Sequence, residues 1–539
     1  MTPNLTWCLA LGPFALVFAG LAAGSADTGH RRVGWGAALA AGFALTLALV
    51  AGVGVAVNGP LATTTIGVAG IGVGFYIDTL AAIMFALVAF VGLIVVLYSR
   101  NYLDGDRGQA RFTRWLCLTL AAVLLLIVSG NLFQFALAWI ATSLGLNKLL
   151  LFYPERQAAV LAARKKLLAS RLGDLCLIAA MALLHQTFGS LDYAVLFAGA
   201  ETMRAGGDIP GAIHAVAVLL VVAALLKSAQ FPLHGWLTEV METPTPVSAL
   251  LHAGVINAGG FLVLRFADVI SLSAPSMEVL VIVGGVTALF GSVVMLTQTS
   301  VKVSLAYSTI AQMGFMMLQC GLGAFAAALL HIVAHSLYKA HAFLSSGSVI
   351  DLARASWSPS PGGGPHPARM AMIVGLVLAT ALVVGTVFGA TITAQPGVFA
   401  LGAVVMLGLA HLITQAFDER PSLYVVGRTV ALAVGVSFAY FGLQWTVEHL
   451  LAGLLPPVQA LRGPLDLVIV AMVVLAFAAV TVFQSVLPGK ADAPRWQALY
   501  VHLANGLYVN TLANRLVLRF WPNPPPHAKA STPASGVSS

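Results

Sequence analysis

AVAVLLVVAALLKSAQFPLHGWLTEVMETPTPVSALLHAG (residues 215–254) is an apolar run interrupted by one lysine, Lys227, and then by Pro232, Pro244 and Pro246. A proline removes a backbone donor and breaks a helix. In a bilayer such a break is tolerated only where the freed backbone groups face protein or water. A lysine beside a broken membrane helix is a transporter-like feature. A second stretch, AAALLHIVAHSLYKAHAFLSSGSV (326–349), places Lys339 in the same apolar setting. A charge inside a membrane segment is costly, and such residues mark ion or proton paths by default. Two of them in one chain point to movement of charge across a membrane.

The composition agrees. Of 539 residues, 59% are hydrophobic and 9% charged, against about 25% charged in soluble proteins. Repeated apolar runs of roughly 20 residues predict an all-α, polytopic membrane protein and exclude the short alternating strands of a membrane β-barrel. The net charge of +8 lies in short loops beside these runs, which is the positive-inside pattern and not a nucleic-acid footprint. Cys8, Cys117, Cys176 and Cys320 form no CxxC and read as buried, inert thiols. The glycines of GVAGIGVGF have no βαβ context, and there is no Walker A sequence or Fe–S cysteine set, so no cofactor is expected in this chain.

About 15 spans are predicted, from 5–24 to 466–487, with 72–97, 131–152, 170–188, 212–241, 246–266 and 370–392 among them. Taking the loops after odd-numbered spans together with the C-terminal tail, 21 of the 27 Lys and Arg fall on one side. Arg164, Lys165 and Lys166 count there as loop residues, while Arg204 and Arg462 lie opposite. The crowded side is expected to be cytoplasmic. Arg31 and Arg32 follow the first apolar run and do not precede it, which predicts a retained first helix with its N-terminus outside. The chain divides into N-terminal helices (1–113), a first unit (114–268), a second unit (269–420) with a Pro/Gly-rich linker at 354–369, and C-terminal helices (421–490). Residues 491–521 follow as an amphipathic segment, with Trp496, Leu499, Leu503 and Leu507 at helical spacing, then a Pro/Ala/Ser tail at 522–539. The amphipathic segment is expected to lie on the membrane lipid or to dock a partner; the tail composition predicts disorder.

Candidate path residues follow from these spans. Burial disfavours the charged form of a lysine, so Lys227 is suited to load and release a proton, with His252 in the next span as a relay. His331, His335 and Lys339 stand at i, i+4 and i+8 and share one helix face, a polar stripe suited to a proton wire. The same stripe could be a helix–helix hydrogen-bonding face. With no third ligand and no HExxH, zinc is not expected there. Lys302 opens a span and reads equally as an interfacial lysine or a conduit residue. Asp174 follows Arg171 by three residues, a spacing that permits an ion pair. Asp78, Glu239 and Glu242 read as flanking charges; His185, His214, His341 and His411 are individually ambiguous.

Several segments resemble the proton-conducting antiporter-like family, which comprises large subunits of respiratory complex I and of Mrp-type Na⁺/H⁺ antiporters. They are GFYIDTLAAIMFALVAFVGLIVVLYSRNYLDGD (74–106), KKLLASRLGDLCLIA (165–179), LLKSAQFPLHGWLTEVMETPTPVSALLHAG (225–254), VKVSLAYSTIAQMGFMM (301–317) and HSLYKAHAFLSSGSVID (335–351). Within that family, HGWLTEVMETPTPVSALLHAGVINAGGFLVLRF and AHSLYKAHAFLSSGS are most similar to the DabB-type branch, the membrane partner in a two-component inorganic-carbon uptake system. The resemblance implies two inverted five-helix repeats, each with one broken helix, the second at 370–392. It makes Lys227 the broken-helix lysine, His252 the relay histidine, Lys302 the lysine before LAYST, Lys339 the central lysine and Asp174 the acid of RxGD.

The chain departs from the complex I pattern in one telling place. That pattern has a glutamate after the tryptophan of the fifth span to pair with the broken-helix lysine; here Ile140 follows Trp139 and no carboxylate lies in the span. Lys148 is no substitute, and without a counter-charge Lys227 gives up its proton more readily. The 370–392 helix has no lysine or glutamate, leaving His411 as the nearby titratable group, and the long tethering helix of complex I has no match. The expectation is a proton- or Na⁺-conducting subunit in a bacterial inner membrane, with its C-terminus cytoplasmic, that energises a DabA-like zinc partner resembling β-type carbonic anhydrases. A redox-driven pump subunit, an Mrp-type antiporter component and a structural scaffold are the competing readings.

Overall fold

Polar side chains open two of the described helices, where Asp78 accepts from Ala81 N and Asn131 from Gln134 N, and left-handed glycines close two others at Gly189 and Gly207. The computed structural model describes residues 3–9, 11–24, 30–240, 243–346, 367–416, 423–456, 464–486 and 493–522. The N-terminal helices are α1 (Pro3–Leu9), α2 (Leu11–Gly24), α3 (His30–Asn58) and α4 (Thr79–Tyr102). Five helices of the first unit follow: α5 (Gln109–Ile127), α6 (Leu132–Leu150), α7 (Gln157–Phe188), α8 (Tyr193–Gly206) and α9 (Gly211–Lys227). Its broken part comprises α10 (Gly235–Glu239), α11 (Thr245–Ala253), α12 (Ala258–Arg265) and α13 (Ala267–Ile270). The second unit has α14 (Ala274–Met295), α15 (Val301–Gly321), α16 (Phe325–Leu344), α17 (Pro367–Val387) and α18 (Pro396–Ala416). The chain continues through α19 (Leu423–Leu450), α20 (Pro464–Val486), α21 (Pro494–Ala504) and α22 (Val509–Phe520).

Among the described residues nine helices are long and apolar enough to cross a membrane, with three shorter apolar helices beside them. By this measure the count falls below the expected 15, partly because breaks shorten the helices, as when α9 stops at Lys227. The chain is a multi-pass membrane protein. One hydrophobic core runs from α1 to α16 and reaches Leu451, and a smaller one joins the start of α16 to α17, α18 and α19. Close helix packing is built with glycine: a Cβ at Gly259 of α12 would overlap Ser228 Oγ and Ala224 O of the facing segment.

The span expected at 72–97 does not begin at 72. Residues 61–77 form two small antiparallel pairs, β1 (Leu61–Ala62) with β4 (Tyr76–Ile77) and β2 (Ile66–Val68) with β3 (Ile71–Val73). Ala69 and Gly70 turn the inner hairpin with φ of 51° and 75°, the left-handed pair that a two-residue hairpin turn requires. Helix α4 then starts at Thr79, capped by Asp78, whose Oδ1 accepts from Ala81 N at 2.8 Å. The same carboxylate accepts two hydrogen bonds from Arg265, at 2.6 and 3.0 Å, with both partners buried. Asp78 is thus a cap and a buried anchor for α12. Arg204, expected on the side opposite the basic loops, pairs with Asp268 at 3.0 Å.

Other expectations shift as well. Helix α7 starts at Gln157, not near 170, so Arg164, Lys165 and Lys166 are helical and buried, not loop cations. The span 246–266 is interrupted after Ala253, where Gly254 leaves helical geometry and a 3₁₀ turn leads into α12. Helix α17 is continuous over Pro367–Val387, so the interruption expected within 370–392 falls in the turns that follow it. The linker's last residues, 367–369, already belong to α17; residues 354–366, Glu242 and the tail beyond 522 lie outside the described residues, as does the His411 side chain. Cys117 and Cys320 are buried, whereas Cys8 is exposed on short α1 and Cys176 is half-buried.

Candidate functional site

The break after Lys227 is stabilised by side chains rather than by helix. Ala229 takes φ 51° and Pro232 contributes no donor. Ser228 Oγ donates to Ile256 O at 3.1 Å, Gln230 Nε2 donates to Ser228 O at 2.9 Å, and Phe231 N donates to Thr287 Oγ1 at 3.1 Å. Backbone groups freed by the break therefore find partners inside the bundle, as a bilayer demands.

Lys227, at the end of α9, points into α6. Its Nζ donates to Trp139 O at 3.2 Å and to Ser143 Oγ at 3.0 Å, and lies 4.2 Å from the centroid of the Trp139 ring. Ser143 follows Trp139 by one helical turn, so both face α9. The ammonium is thus held by neutral acceptors on α6, where the complex I pattern has a glutamate. A carboxylate does reach this region, from α7. Asp174 pairs with Arg171 at 2.7 Å and interacts electrostatically with Lys227 and with Lys166. The negative charge that acts on Lys227 thus comes from α7, on a carboxylate already paired with Arg171.

A second cluster surrounds Lys339, which is fully buried. Its Nζ donates to Leu305 O at 3.0 Å. Thr309 Oγ1 donates to the same carbonyl at 3.0 Å and lies 2.9 Å from His252 Nδ1. With the Thr309 proton engaged on Leu305, His252 Nδ1 is the donor to Thr309, which leaves Nε2 as the acceptor nitrogen. The His252 ring stacks on Phe343 at 4.3 Å, and the His331 and His335 rings lie 6.0 Å apart. His335 interacts electrostatically with His331, Lys339 and His252. The structure therefore brings His252, His331, His335 and Lys339 into one cluster and Lys227 and Asp174 into another. Helix α11 divides the two: Leu251 lines the Lys227 cleft, and the next residue is His252. Lys302 stands apart, donating to Thr245 Oγ1 at 3.3 Å at the start of α11. Among the described residues, no group of three or more His, Cys, Asp or Glu is disposed to hold a metal ion.

Sequence reading missed three elements of this site. Lys166 Nζ donates to Ser143 O at 2.6 Å, making it a neighbour of Lys227. The spacing that picks out His331, His335 and Lys339 also relates Lys166, Ser170 and Asp174, and would have found it. Thr309 carried no signal of its own. Finally, the amphipathic segment docks on its own chain. It is two helices, α21 and α22, joined by a kink at Leu507 and Tyr508. Lys165 and Glu239 pair at 2.7 Å. Lys165 Nζ donates to Oδ1 of Asn510 and of Asn514, both at 2.6 Å, and their Nδ2 groups donate to Glu239 Oε1 at 2.8 and 2.7 Å. Arg164 adds a bond to Trp521 O at 2.7 Å. The opposite face of α22 exposes Leu512, Leu516 and Phe520.

Residues 129–403 match the family described as NADH:quinone oxidoreductase/Mrp antiporter, TM, and residues 64–113 match the complex I chain 5 N-terminus. The chain is 41% identical over 452 residues to the probable inorganic carbon transporter subunit DabB2 of Halothiobacillus neapolitanus, covering 83% of this chain and 80% of that one. It is 45% identical over 276 residues to the probable inorganic carbon transporter subunit DabB of Hydrogenovibrio crunogenus, covering 51% and 53%. Its fold is similar to a chain in the structure of the Mrp complex from Dietzia sp. DQ12-45-1b, with a TM-score of 0.62 at 24% identity, over 96% of this chain and 59% of that one.

Proposed function

Since the chain belongs to the family of NADH:quinone oxidoreductase/Mrp antiporter membrane subunits, we propose that it is the cation-conducting subunit of an inorganic-carbon uptake complex. The observation that carries this reading is the pair of buried lysines, Lys227 and Lys339, each held by neutral oxygens on a neighbouring helix. An ammonium so held can lose its proton and leave a neutral, satisfied amine, as a carrier must. The likeness to DabB-type subunits over most of the chain supports the carbon-uptake assignment.

In this reading protons (or Na⁺) enter the bundle and pass Lys227 with Asp174, then His252, His335 and Lys339, with His331 and Lys302 at the flanks of the path. Thr309 orients His252 so that Nε2 takes the proton. The chain sits in a bacterial inner membrane with its C-terminus cytoplasmic, the arrangement supported by the basic loops. Its partner is a DabA-like zinc protein that hydrates CO₂ to bicarbonate, driven by the cation flow. The zinc chemistry belongs to that partner.

The test is a mild-detergent pull-down of the tagged chain from its native host, with mass spectrometry and metal analysis. The expected result is one large zinc-bearing partner, and the pair should then restore growth in air to a strain lacking carbonic anhydrase. Recovery of Fe–S and flavin subunits would make the chain part of a redox pump and end the carbon-uptake reading.

A further inference from the structure

Lys166 is a buried cation that the path above does not use. With Ser170 and Asp174 it forms an i, i+4, i+8 stripe on α7, and the three are 3%, 6% and 4% exposed. Lys166 and Lys227 approach the same residue from two helices: one donates to the Ser143 carbonyl at 2.6 Å, the other to the Ser143 hydroxyl at 3.0 Å. Both lysines, Ser143 and Ser170 line one small cleft closed by Trp236 and Ile256. Its polar lining offers the several partners that a buried water requires.

The charges facing this cleft do not balance. Asp174 and Arg171 come from α7 and pair with each other; α6, α10 and α11 contribute serine, tryptophan and aliphatic side chains. If both lysines were protonated, two like charges would share one residue with no free carboxylate to offset them, an arrangement that low dielectric opposes. A structural buried lysine is ordinarily paired with an acid, whereas Lys166 is held by a backbone carbonyl.

We propose that Lys166 is a second proton-carrying group of the first unit, sharing one proton with Lys227 across Ser143. In the transfer an N–H bond of the Lys227 ammonium breaks and an N–H bond of the Lys166 ammonium forms. One water in the cleft relays the proton and ends unchanged, so the pair keeps its charge. A lysine pair backed by Asp174 thereby does the work of a lysine–glutamate pair. This inference rests on the proton-path reading.

The test measures cation flux in inside-out vesicles from cells making the whole complex, with a pH-sensitive dye inside and the amount of chain quantified. Lys227→Ala is the control for the path. Lys166→Gln is expected to slow flux by about 100-fold or more, the scale of a lost proton-transfer group. Lys166→Arg keeps the charge but cannot release a proton, and is expected to be as slow as Lys166→Gln. Recovery of flux in Lys166→Arg would show a structural cation and overturn the proposal, as would unchanged flux in Lys166→Gln while Lys227→Ala is dead. Unchanged flux in Lys227→Ala removes the path reading itself and this proposal with it. If the Lys166 variants do not accumulate, Ser143→Ala decides. It keeps the Lys166 carbonyl contact and removes the Lys227 hydroxyl contact, so slowed flux supports the shared proton and unchanged flux overturns it.

Discussion

Replacing Asn510 and Asn514 together by alanine should release helix α22 from the bundle. The double variant deletes four hydrogen bonds, two from Lys165 and two to Glu239, all at 2.6–2.8 Å and all involving a charged group. Bonds of this class contribute about 1.5–3 kcal/mol each, but the sum is an upper bound because contributions are not additive. The Lys165–Glu239 pair survives the change, with side chains 7% and 16% exposed, and water fills the lost contacts. A net loss of about 2–4 kcal/mol is the reasonable scale, which is about 30- to 1,000-fold in the docked-to-undocked ratio. Arg164 on Trp521 O, at the end of α22, remains, and α21 keeps its own contact from Tyr500 to Thr297 O. The assay is amide hydrogen exchange of the full chain in nanodiscs, read by mass spectrometry. Peptides covering 509–520 should lose protection by at least the lower of those factors, while α5 and α11 exchange as before. Unchanged protection of 509–520 would show that the asparagine face does not hold the helix.

Three further outcomes are expected. Lys227→Ala or Lys339→Ala should abolish uptake, scored as growth in air, while co-purification shows the complex intact; normal uptake in both variants would remove the path assignment. Arg265→Ala strands a buried Asp78 carboxylate and should cost about 3–5 kcal/mol, seen as a lower melting midpoint in detergent, with Arg265→Met plus Asp78→Leu recovering most of it; a single variant that melts like the parent contradicts the anchor. Gly235→Ala would place a Cβ on Asn510 Oδ1, so it should raise exchange of 509–520 as the double asparagine variant does, and full protection would mean that the contact yields without undocking.

What the sequence disclosed follows from how anomalous each residue looks in its neighbourhood. Lys227 and Lys339 stand alone in apolar runs, so their burial was legible. The His331–His335–Lys339 stripe was legible because helix periodicity puts it on one face. Lys166 escaped notice because it follows Arg164 and Lys165, and three cations in a row read as a solvated loop. The stretch QAAVLAARKKLLAS has no Pro or Gly to stop a helix, and its alanines and leucines favour one, so α7 extends back to Gln157. Residues 72–77 read as the start of a span because Val and Ile between glycines are apolar enough; the left-handed Ala69–Gly70 turn places them in hairpin strands instead. The docking of α22 could not be read locally, since Lys165 and Asn510 are 345 residues apart and nothing in either neighbourhood names the other.

The Asp78–Arg265 pair also sets an order of events during synthesis. Its partners lie 187 residues apart, and a ribosome adding about 5–20 residues per second separates their appearance by about 10–40 s. Throughout that interval α4 carries a carboxylate whose arginine does not yet exist. Hydration at the membrane surface, or the insertion machinery, must shelter Asp78 until α12 arrives. The neutralisation of one early acid by one late base thus acts as a timestamp, after which the N-terminal helices and the first unit are committed to each other.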